Sequence, residues 1–529
     1  MKKLLLSFMC VSLLAPIPGT LIDVYTYTER PIEDRFTNNY HLQIQEAGMM
    51  NDIQGGFYRN GVWHVYYLYT ADFRVNPYGK KFGNKSTNFY HATTTDWIHW
   101  DYKGIALSRD LTSYGDVSSG SIFEDVDNLF GLDERFETGQ GKGQAKTIIS
   151  MTTSYGKGAQ NILGYYSLDD GYSFKALKDT PIIANEQKLG EDRNMRDPFF
   201  FTQKDDQGNT KYIIYNAEND NFGVWVSSNP LTGYERVGQY NAKHPMLECP
   251  NLYKMKIQGT DDYKWVMFYG GNSGWGEDKD DLSTGTFYVT GDLDENFVFK
   301  ADSETKRLDF GPDYYAANFW KQQGVFSNEK VESLTTTAWV SNWNYHYVVP
   351  HDGRIGKMSL ARNLTLSQNG KSDFTINSDY IGFDDLAATE NKEFENEKQL
   401  SFSNNSFKLD LNLKDIKDNL SLYFKDSTYS IKVDIDLKNN KVSVKRKTAY
   451  KILKERSDYQ KERIFSLSDF DKNNFNLEIY LDKTVLELKL PDGKTFTIGK
   501  VIDRKTKESL TISSETLTGS YKFYDLNNI

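Results

Sequence analysis

The segment His91-Ala-Thr-Thr-Thr-Asp-Trp-Ile-His-Trp100 joins a strand-like run to an acidic turn and then to aromatic residues. The same form recurs at 165–174, 224–234 and 288–297, so the starts of the four segments are 74, 59 and 64 residues apart. A repeat of this length holds about four short strands, which is the content of one β-propeller blade. Ordinary hairpins in a large sandwich would also produce such turns, but the strands that precede these segments carry acidic motifs, which favours a propeller.

Around these segments, residues 40–350 consist of short apolar and aromatic runs broken by Gly, Asn and Asp. This pattern is typical of strands joined by tight turns. Within it, Arg59-Asn60-Gly61 separates two strand-like runs, as in a hairpin with an Asn-Gly turn. Aromatic residues make up 14% of the chain, and Gly outnumbers Pro by 39 to 12, which also favours a β-rich fold. We predict an all-β propeller domain at 30–365.

The composition changes after residue 360. Residues 366–397 are polar and rich in Asp, Asn and Ser, which predicts a linker. Residues 398–529 return to alternating apolar and polar positions, most strictly in Phe407-Lys-Leu-Asp-Leu-Asn-Leu413. Lysine occupies many of the polar positions, as expected for a solvated sheet face. We predict a second domain, a β-sandwich, at 398–529.

The N-terminus has the pattern of a secretion signal, because Lys2 and Lys3 precede an apolar run that is too short to span a membrane. We predict a signal peptide at 1–19 and a secreted, extracellular protein; an uncleaved membrane anchor is the alternative. The net charge of −10 makes nucleic acid an unfavourable partner. Once the signal is removed, Cys249 is the only cysteine, so no intramolecular disulfide can form.

Three carboxylates stand at turns beside strand-like runs: Asp52 after Asn51, Asp197 after Arg196, and Glu248. In a propeller, the first strand of each blade points its end at the central axis, so residues far apart in sequence can meet there. A glycosidase needs one carboxylate as nucleophile and one carboxylic acid to protonate the leaving oxygen. Taken alone, each motif has an ordinary explanation as a turn or a surface ion pair.

Together and in this order, the motifs resemble those of the invertase, inulinase and levanase family of glycoside hydrolases. Arg196-Asp-Pro198 and Glu248-Cys-Pro250 match the family motifs outright. Met49-Met-Asn-Asp-Ile-Gln-Gly55 resembles the Trp-Met-Asn-Asp-Pro-Asn-Gly element, and Ser119-Gly-Ser121 resembles the Ser-Gly-Ser element. Further similar segments are 308–316, 338–343, 358–362 and 479–487. The resemblance implies a five-bladed β-propeller followed by a β-sandwich, and a retaining, double-displacement hydrolase.

The resemblance also implies a role for individual residues. Asp52 would be the nucleophile, Glu248 the general acid and then the base, and Asp197 the stabiliser of the transition state. Substrate contacts would come from the motif residues and one aromatic, namely Asn51, Gln54, Ser119, Arg196 and Trp343.

Several positions depart from the family pattern in ways that bear on the substrate. Ile53-Gln54 replaces Pro-Asn, Met49 replaces the opening Trp, and Leu68 stands where sucrose-cleaving members often carry Gln. This pattern resembles the endo-acting levanases. We therefore predict a secreted hydrolase of β-fructofuranosidic bonds in fructans, with levan (β-2,6) as the favoured substrate. The alternatives are an exo-β-fructosidase acting on inulin or sucrose, a fructosyltransferase, and a non-catalytic fructan-binding propeller.

Other chemistries find little support in the sequence. The seven His residues show no metal-ligand spacing, and a single mature cysteine disfavours a zinc site. The chain carries no phosphate loop and no dinucleotide fingerprint. A sialidase-like propeller would need a cluster of arginines, and the sequence does not indicate one. We expect no metal, no cofactor, no nucleic acid and no obligate protein partner; the expected partner is a polysaccharide or oligosaccharide such as levan.

Overall fold

The computed structural model describes residues 31–76, 79–83, 86–135, 138–139, 146–186, 194–272, 283–321, 330–370, 373–417, 419–501 and 508–529. The expected signal peptide at 1–19 lies outside these residues. Regular structure in the described part is almost entirely strand, with short α-helices at Lys451–Lys454 and Ser457–Gln460. None of the helices in these ranges has the length and apolar character needed to cross a membrane.

Five sheets, each with four antiparallel strands, form the blades of a propeller, here numbered I to V in chain order; in blade I the short strand Arg354–Ile355 also pairs in parallel with the first strand. The first strand of each blade lies innermost, and these first strands are neighbours around a closed ring. The prediction of an all-β, five-bladed propeller is confirmed. The innermost strands are Gly48–Arg59, Ser118–Glu124, Arg196–Lys204, Met246–Lys256 and Tyr315–Trp320.

Each blade continues outward by three more antiparallel strands. The expected hairpin in blade I is present, and its Asn60-Gly61 turn has positive φ at both residues (53° and 83°), as a tight two-residue hairpin turn requires. The outer strands are Val62–Thr70, Asn88–Thr94 and Asp101–Leu107 in blade I; Ile148–Ser154, Asn161–Ser167 and Lys175–Ala176 in blade II; Thr210–Glu218, Asn221–Ser227 and Glu235–Tyr240 in blade III; Tyr263–Asn272, Gly285–Leu293 and Phe299–Ala301 in blade IV; and Leu334–Trp339, Arg362–Gln368 and Phe374–Tyr380 in blade V.

The repeated segments of the sequence are the ends of the third strands of blades I to IV, together with the turns that follow them. In each turn an Asp or Asn side chain accepts a hydrogen bond from a backbone N–H, which closes the turn without help from the rest of the blade. The acceptors and donors are Asp96 and His99 (2.8 Å), Asp169 and Ser173 (2.9 Å), Asn229 and Leu231 (2.8 Å), and Asp294 and Val298 (2.9 Å). The sequence repeat is therefore a structural repeat of the blade.

Residues 366–397, which the composition predicts to be a linker, contain strands instead. Arg362–Gln368 and Phe374–Tyr380 are the two outer strands of blade V, and Glu390–Ser403 is the first strand of the second domain. Burial in Phe374–Tyr380 alternates along the strand. A strand with one solvated face needs few apolar residues, so its composition is similar to that of a linker. The connection between the domains is reduced to residues 381–389.

The second domain is one hydrogen-bonded sheet of ten strands that supplies both layers of a sandwich. The long strand Ser509–Asp525 joins the layers, since residues 509–513 pair with Leu420–Lys425 and residues 519–525 pair with Phe407–Leu413. Apolar side chains from both layers pack into one core, so the predicted β-sandwich is confirmed. The remaining strands are Glu390–Ser403, Tyr429–Asp436, Lys441–Thr448, Arg463–Ser466, Phe475–Leu481, Val485–Lys489 and Thr495–Gly499.

A buried network of charges joins the propeller to the sandwich. Arg362 of blade V contacts Asp309 at 2.9 Å and Glu487 of the sandwich at 2.6 Å, and all three side chains are fully buried. His41 lies between Asp482 (3.0 Å) and Glu487 (3.2 Å). Against the effect of burial, Arg362 and His41 lower the pKa of Glu487 to about 2. Glu487 therefore remains ionised, and its contacts with Arg362 and His41 link the sandwich to the propeller.

Candidate active site

Each innermost strand has an irregularity in its pairing with the next strand of the blade, close to the first residues of the strand. A β-bulge inserts an unpaired residue and redirects the side chains around it. The predicted carboxylates lie at three of these five bulges, so the carboxylates of blades I, III and IV are directed to one end of the axis. The bulges lie between Asn51 and Ile53, Ser118 and Gly120, Arg196 and Phe199, Glu248 and Asn251, and Tyr315 and Asn318.

The backbone is strained at the same end of the propeller. Asp197 (φ 60°), Cys249 (φ 50°) and Ala316 (φ 50°) adopt left-handed conformations, which are uncommon for residues other than glycine and are least tolerated, among these three, by Cys249 and Ala316. Such strain costs on the order of 1–3 kcal/mol per residue and concentrates at functional sites. The fold therefore fixes the direction of these side chains at some cost in stability.

Asp52 of blade I is held from two sides. Its Oδ2 accepts a hydrogen bond from the hydroxyl of Ser119 in blade II (2.6 Å), and its Oδ1 accepts one from the side-chain amide of Asn51 (3.0 Å). Both bonds favour the ionised carboxylate. Burial nevertheless raises the pKa of Asp52 to about 6, and the charge of Glu248 contributes to this rise. Glu248 therefore lies within electrostatic reach of Asp52.

Asp197 of blade III is hydrogen-bonded to residues of both neighbouring blades, II and IV. Its backbone N–H donates to the hydroxyl of Thr153 (2.8 Å), which in turn donates to the carbonyl of Ser119 (2.8 Å). Its Oδ2 accepts a hydrogen bond from the backbone N–H of Cys249 at 3.0 Å. Burial raises the pKa of Asp197 to about 7, with Arg196 opposing the rise and Glu248 adding to it. Asp197 is thus fixed by hydrogen bonds that cross three blades.

Glu248 of blade IV has a partner at each carboxylate oxygen. Arg196 contacts Oε1 at 3.2 Å, and the hydroxyl of Tyr315 in blade V donates to Oε2 at 2.5 Å. Asn272 donates to the same Tyr315 hydroxyl at 3.1 Å, which fixes its direction. The Glu248 side chain is 17% exposed, against 6% for Asp197, so it is the more accessible of the two.

Gln54 and Trp343, two of the residues expected to contact substrate, each pack against other groups of the protein. Gln54 is fully buried; its amide nitrogen donates to the Asp52 carbonyl (2.9 Å) and its amide oxygen accepts from the Gly120 backbone (2.8 Å). This placement makes Gln54 a positioning residue for the Asp52 bulge, which differs from the expected sugar contact. Trp343 is half-buried, and its ring packs on Trp339 with centroids 4.7 Å apart.

Sequence reasoning did not identify Tyr315, Asn272 or Thr153 as part of the site. Tyr315 lies in the 308–316 segment that resembles a family motif, so the sequence marked this segment but did not indicate what Tyr315 does. Thr153 and Asn272 stand in strands with no motif, and only the contact between blades reveals them. Cys249 is buried, and burial raises the pKa of its thiol well above the ordinary value, so the neutral thiol is a small packing residue beside Asp197.

The cluster consists of carboxylates, an arginine, amides and hydroxyls. In the residues that the structure describes, no group of three or more His, Cys, Asp and Glu side chains could hold a metal ion. The chemistry that these groups can perform themselves is nucleophilic attack by a carboxylate and proton transfer by a second one.

Comparison with known proteins agrees with this geometry. Residues 41–375 match the glycosyl hydrolases family 32 N-terminal domain. A levanbiose-producing levanase of Bacillus subtilis is 28% identical over 498 residues, which cover 91% of this chain and 89% of the levanase. An extracellular exo-inulinase of Aspergillus niger is 29% identical over 364 residues, and the match spans 63% of this chain and 62% of the inulinase.

Solved structures agree in fold. A fructofuranosidase from Schwanniomyces occidentalis complexed with fructose superposes with a TM-score of 0.76 at 21% identity, covering 94% of this chain and 100% of the other. An exo-inulinase from Aspergillus awamori gives a TM-score of 0.73 at 22% identity, covering 93% and 98%. At these identities the likeness supports the propeller and sandwich alone. The family match spans more than half of the chain, and the chain therefore belongs to glycosyl hydrolases family 32 and is a glycoside hydrolase.

Proposed function

We propose that the protein is a secreted, retaining β-fructosidase that cleaves fructans, with levan as its favoured polymer and endo action as its mode. The observation that carries the proposal is the convergence of Asp52, Asp197 and Glu248 into one cluster linked by hydrogen bonds and charge. Retaining hydrolysis of a glycosidic bond needs a carboxylate nucleophile and a carboxylic acid on the two sides of that bond. A module that only binds fructan has no use for this pair.

Asp52 is the proposed nucleophile. Its carboxylate attacks the anomeric carbon of a fructofuranosyl unit while the bond to the leaving oxygen breaks. The hydrogen bonds from Ser119 and Asn51 leave one lone pair direction on each oxygen available and hold the carboxylate in a fixed plane. Gln54 fixes the backbone of the same bulge, so the attacking group needs little reorganisation.

Glu248 is the proposed acid and base. It gives its proton to the leaving oxygen in the first step, and in the second step its carboxylate removes a proton from the water that displaces Asp52. Arg196 and Tyr315 orient the two oxygens of Glu248, so the group faces the bond in one geometry. Its greater exposure agrees with contact to both a leaving sugar and an entering water.

Asp197 is the proposed stabiliser of the transition state. Its carboxylate is anchored by the Cys249 N–H, so it stays in place while positive charge develops on the sugar ring. Arg196 lies 3.9 Å from Asp197 and 3.2 Å from Glu248. Its positive charge offsets part of the repulsion between these two carboxylates.

The preference for levan rests on similarity and on one position near the nucleophile. The levanase relative aligns along 91% of the chain. Leu68 pairs with Asn51 in the neighbouring strand and is buried, so it offers no polar contact to a sugar beside Asn51. The absence of a polar group there supports a polymer substrate over sucrose. The N-terminal pattern at 1–19 and the extracellular nature of the exo-inulinase relative support secretion.

The experiment that tests this function is the product profile. Purified protein is incubated with levan, inulin and sucrose separately, and the products are followed over time by chromatography, with Glu248→Gln as the inactive control. Short oligofructosides from levan at early times are the expected result. Release of fructose alone would indicate an exo-acting enzyme, transfer products would indicate a fructosyltransferase, and no product from any substrate would contradict the proposal.

The pH dependence follows from the raised pKa values. Asp52 must be ionised to attack, and its pKa is about 6, so kcat/KM is expected to fall as the pH drops through 6. Burial also raises the pKa of Asp197, to about 7, so the ionisation of both carboxylates contributes to the acid limb. Ser119→Ala removes a bond to the ionised form and is expected to move the limb to higher pH. Full kcat/KM retained at pH 4 would contradict this account.

Tyr315→Phe tests the orientation of Glu248. A hydrogen bond to a charged group contributes about 1.5–3 kcal/mol, so kcat is expected to fall roughly tenfold to a hundredfold. The matched control is Tyr253→Phe, which removes a blade IV hydroxyl that donates to the Phe319 carbonyl of blade V (2.6 Å). The control is expected to keep its kcat, and an unchanged kcat in Tyr315→Phe would exclude the role in orientation. Steady-state rates on levan provide the measurement.

A further inference from the structure

Tyr155 stands at the end of the propeller that holds the carboxylates. It follows Ile148–Ser154, the second strand of blade II, and that strand contains Thr153. The Thr153 hydroxyl bonds both the N–H of Asp197 and the carbonyl of Ser119. The turn that begins at Tyr155 is therefore two residues from a direct contact with the catalytic cluster.

The turn that carries Tyr155 is anchored at both ends. The Ser154 hydroxyl donates to the Gly115 carbonyl (2.7 Å) and accepts from the Gly156 N–H (3.2 Å). A Cβ at Gly156 would lie 1.5 Å from the Tyr114 carbonyl oxygen, so glycine is required for this close approach. At the other end, the Gln160 side chain accepts from the backbone N–H that immediately precedes Arg196, at 2.7 Å. Tyr155 is consequently presented by a rigid turn.

The Tyr155 side chain is 46% exposed although it lies within electrostatic reach of Arg196, Asp197 and Glu248. Among the described residues, no ring stacks on it and no hydrogen bond holds its hydroxyl. Desolvation beside the cluster raises the pKa of the Tyr155 phenol, so the phenol is neutral at neutral pH. A rigid, neutral aromatic face beside an active site is a surface on which the apolar face of a sugar ring can pack.

The depth of the cluster indicates which sugar reaches Tyr155. Asp52 and Asp197 are at most 9% exposed, so the fructosyl unit that is attacked lies deepest. The rest of the chain must leave toward solvent past Glu248, which protonates the oxygen on that side. We propose that Tyr155 is a specificity-determining residue that packs against the sugar ring on the leaving-group side of Glu248. This inference rests on the proposed β-fructosidase function and adds a residue that selects oligomeric over simple fructosides.

The test compares two substrates that share the attacked unit. Levan-derived oligofructosides carry a sugar on the leaving side, and methyl β-fructofuranoside does not. For Tyr155→Ala, the KM for the oligofructosides is expected to rise roughly threefold to tenfold, the size of an aromatic packing contact, while both parameters for the methyl fructoside stay unchanged. Tyr155→Phe keeps the ring and is expected to retain the wild-type values.

The ratio of kcat/KM for the two substrates is independent of the folded fraction of a preparation, so a folding defect cannot imitate the result. Tyr172→Ala is the matched control, because Tyr172 is also 46% exposed but packs on His64 and His91 in blade I. An unchanged ratio in Tyr155→Ala, or the same change in Tyr172→Ala, would overturn the inference while leaving the β-fructosidase function intact. A wild-type protein inactive on every fructoside would overturn both.

Discussion

Glu248→Gln is expected to lower kcat on levan by about 10²- to 10⁴-fold, the range that general acid–base catalysis contributes. An amide of the same shape cannot protonate the leaving oxygen or remove a proton from water. Asp52→Asn is expected to lose at least as much, since an amide cannot form the covalent intermediate. Both variants should fold, because each keeps the volume of its side chain. Initial rates of reducing-sugar release and circular dichroism provide the measurements.

A substrate with an easily departing group separates the two roles. β-Fructofuranosyl fluoride needs little protonation to leave, so the first step of Glu248→Gln should be much less impaired on it than on levan. Asp52→Asn should be equally impaired on both. Asp205→Asn is the control, with a carboxylate that is 21% exposed but lies outside the cluster, and it should keep full activity. Substantial turnover of the fluoride by Asp52→Asn would assign the nucleophile to another residue.

Arg362→Met is expected to destabilise the protein by about 3–5 kcal/mol, because it removes the cation from the buried carboxylate of Asp309 and leaves Glu487 to its contact with His41. Arg362 bridges Asp309 in the propeller and Glu487 in the sandwich, and its guanidinium also lies over the rings of Tyr314 (4.3 Å) and Tyr380 (4.9 Å). Methionine fills much of the volume but satisfies neither charge. Unfolding in denaturant, followed by tryptophan fluorescence, measures the loss.

The control for this prediction is Lys211→Met, which removes an ion pair with Asp205 at 3.6 Å whose side chains are both partly exposed. Solvent screens a pair of this kind, so little change in stability is expected. If Arg362→Met were no less stable than Lys211→Met, the buried network would not be what joins the two domains.

The propeller could be predicted because its signal is local. The turns after each third strand are closed by their own Asp or Asn side chains, so the same residue types recur in blades I to IV whatever packs around them. The outer strands of blade V carry no such signal. Their alternating burial gives Phe374–Tyr380 the composition of a linker, and only pairing with Arg362–Gln368 shows it to be a strand.

The residues of the candidate site also fall into those that the sequence could predict and those that only the fold reveals. Asp52, Asp197 and Glu248 stand in short motifs, so a resemblance finds them. Thr153 takes part because its strand passes between Ser119 and Asp197, a relation that only the closed ring of blades creates. Gln54 belongs to a motif, yet its buried amide bonds two backbone groups. A motif gives the identity of a residue, whereas burial and partners decide whether it touches substrate or holds a residue that does.

The proposed mechanism requires Asp52 to form a covalent bond to the fructosyl unit. Glu248→Gln incubated with β-fructofuranosyl fluoride tests it directly, since the first step proceeds and the second step lacks its base. The fructosyl–enzyme should accumulate, and proteolysis with mass spectrometry should find the added fructosyl group on the peptide that contains Asp52. A group attached to any other residue, or no attachment while substrate is consumed, would contradict the account.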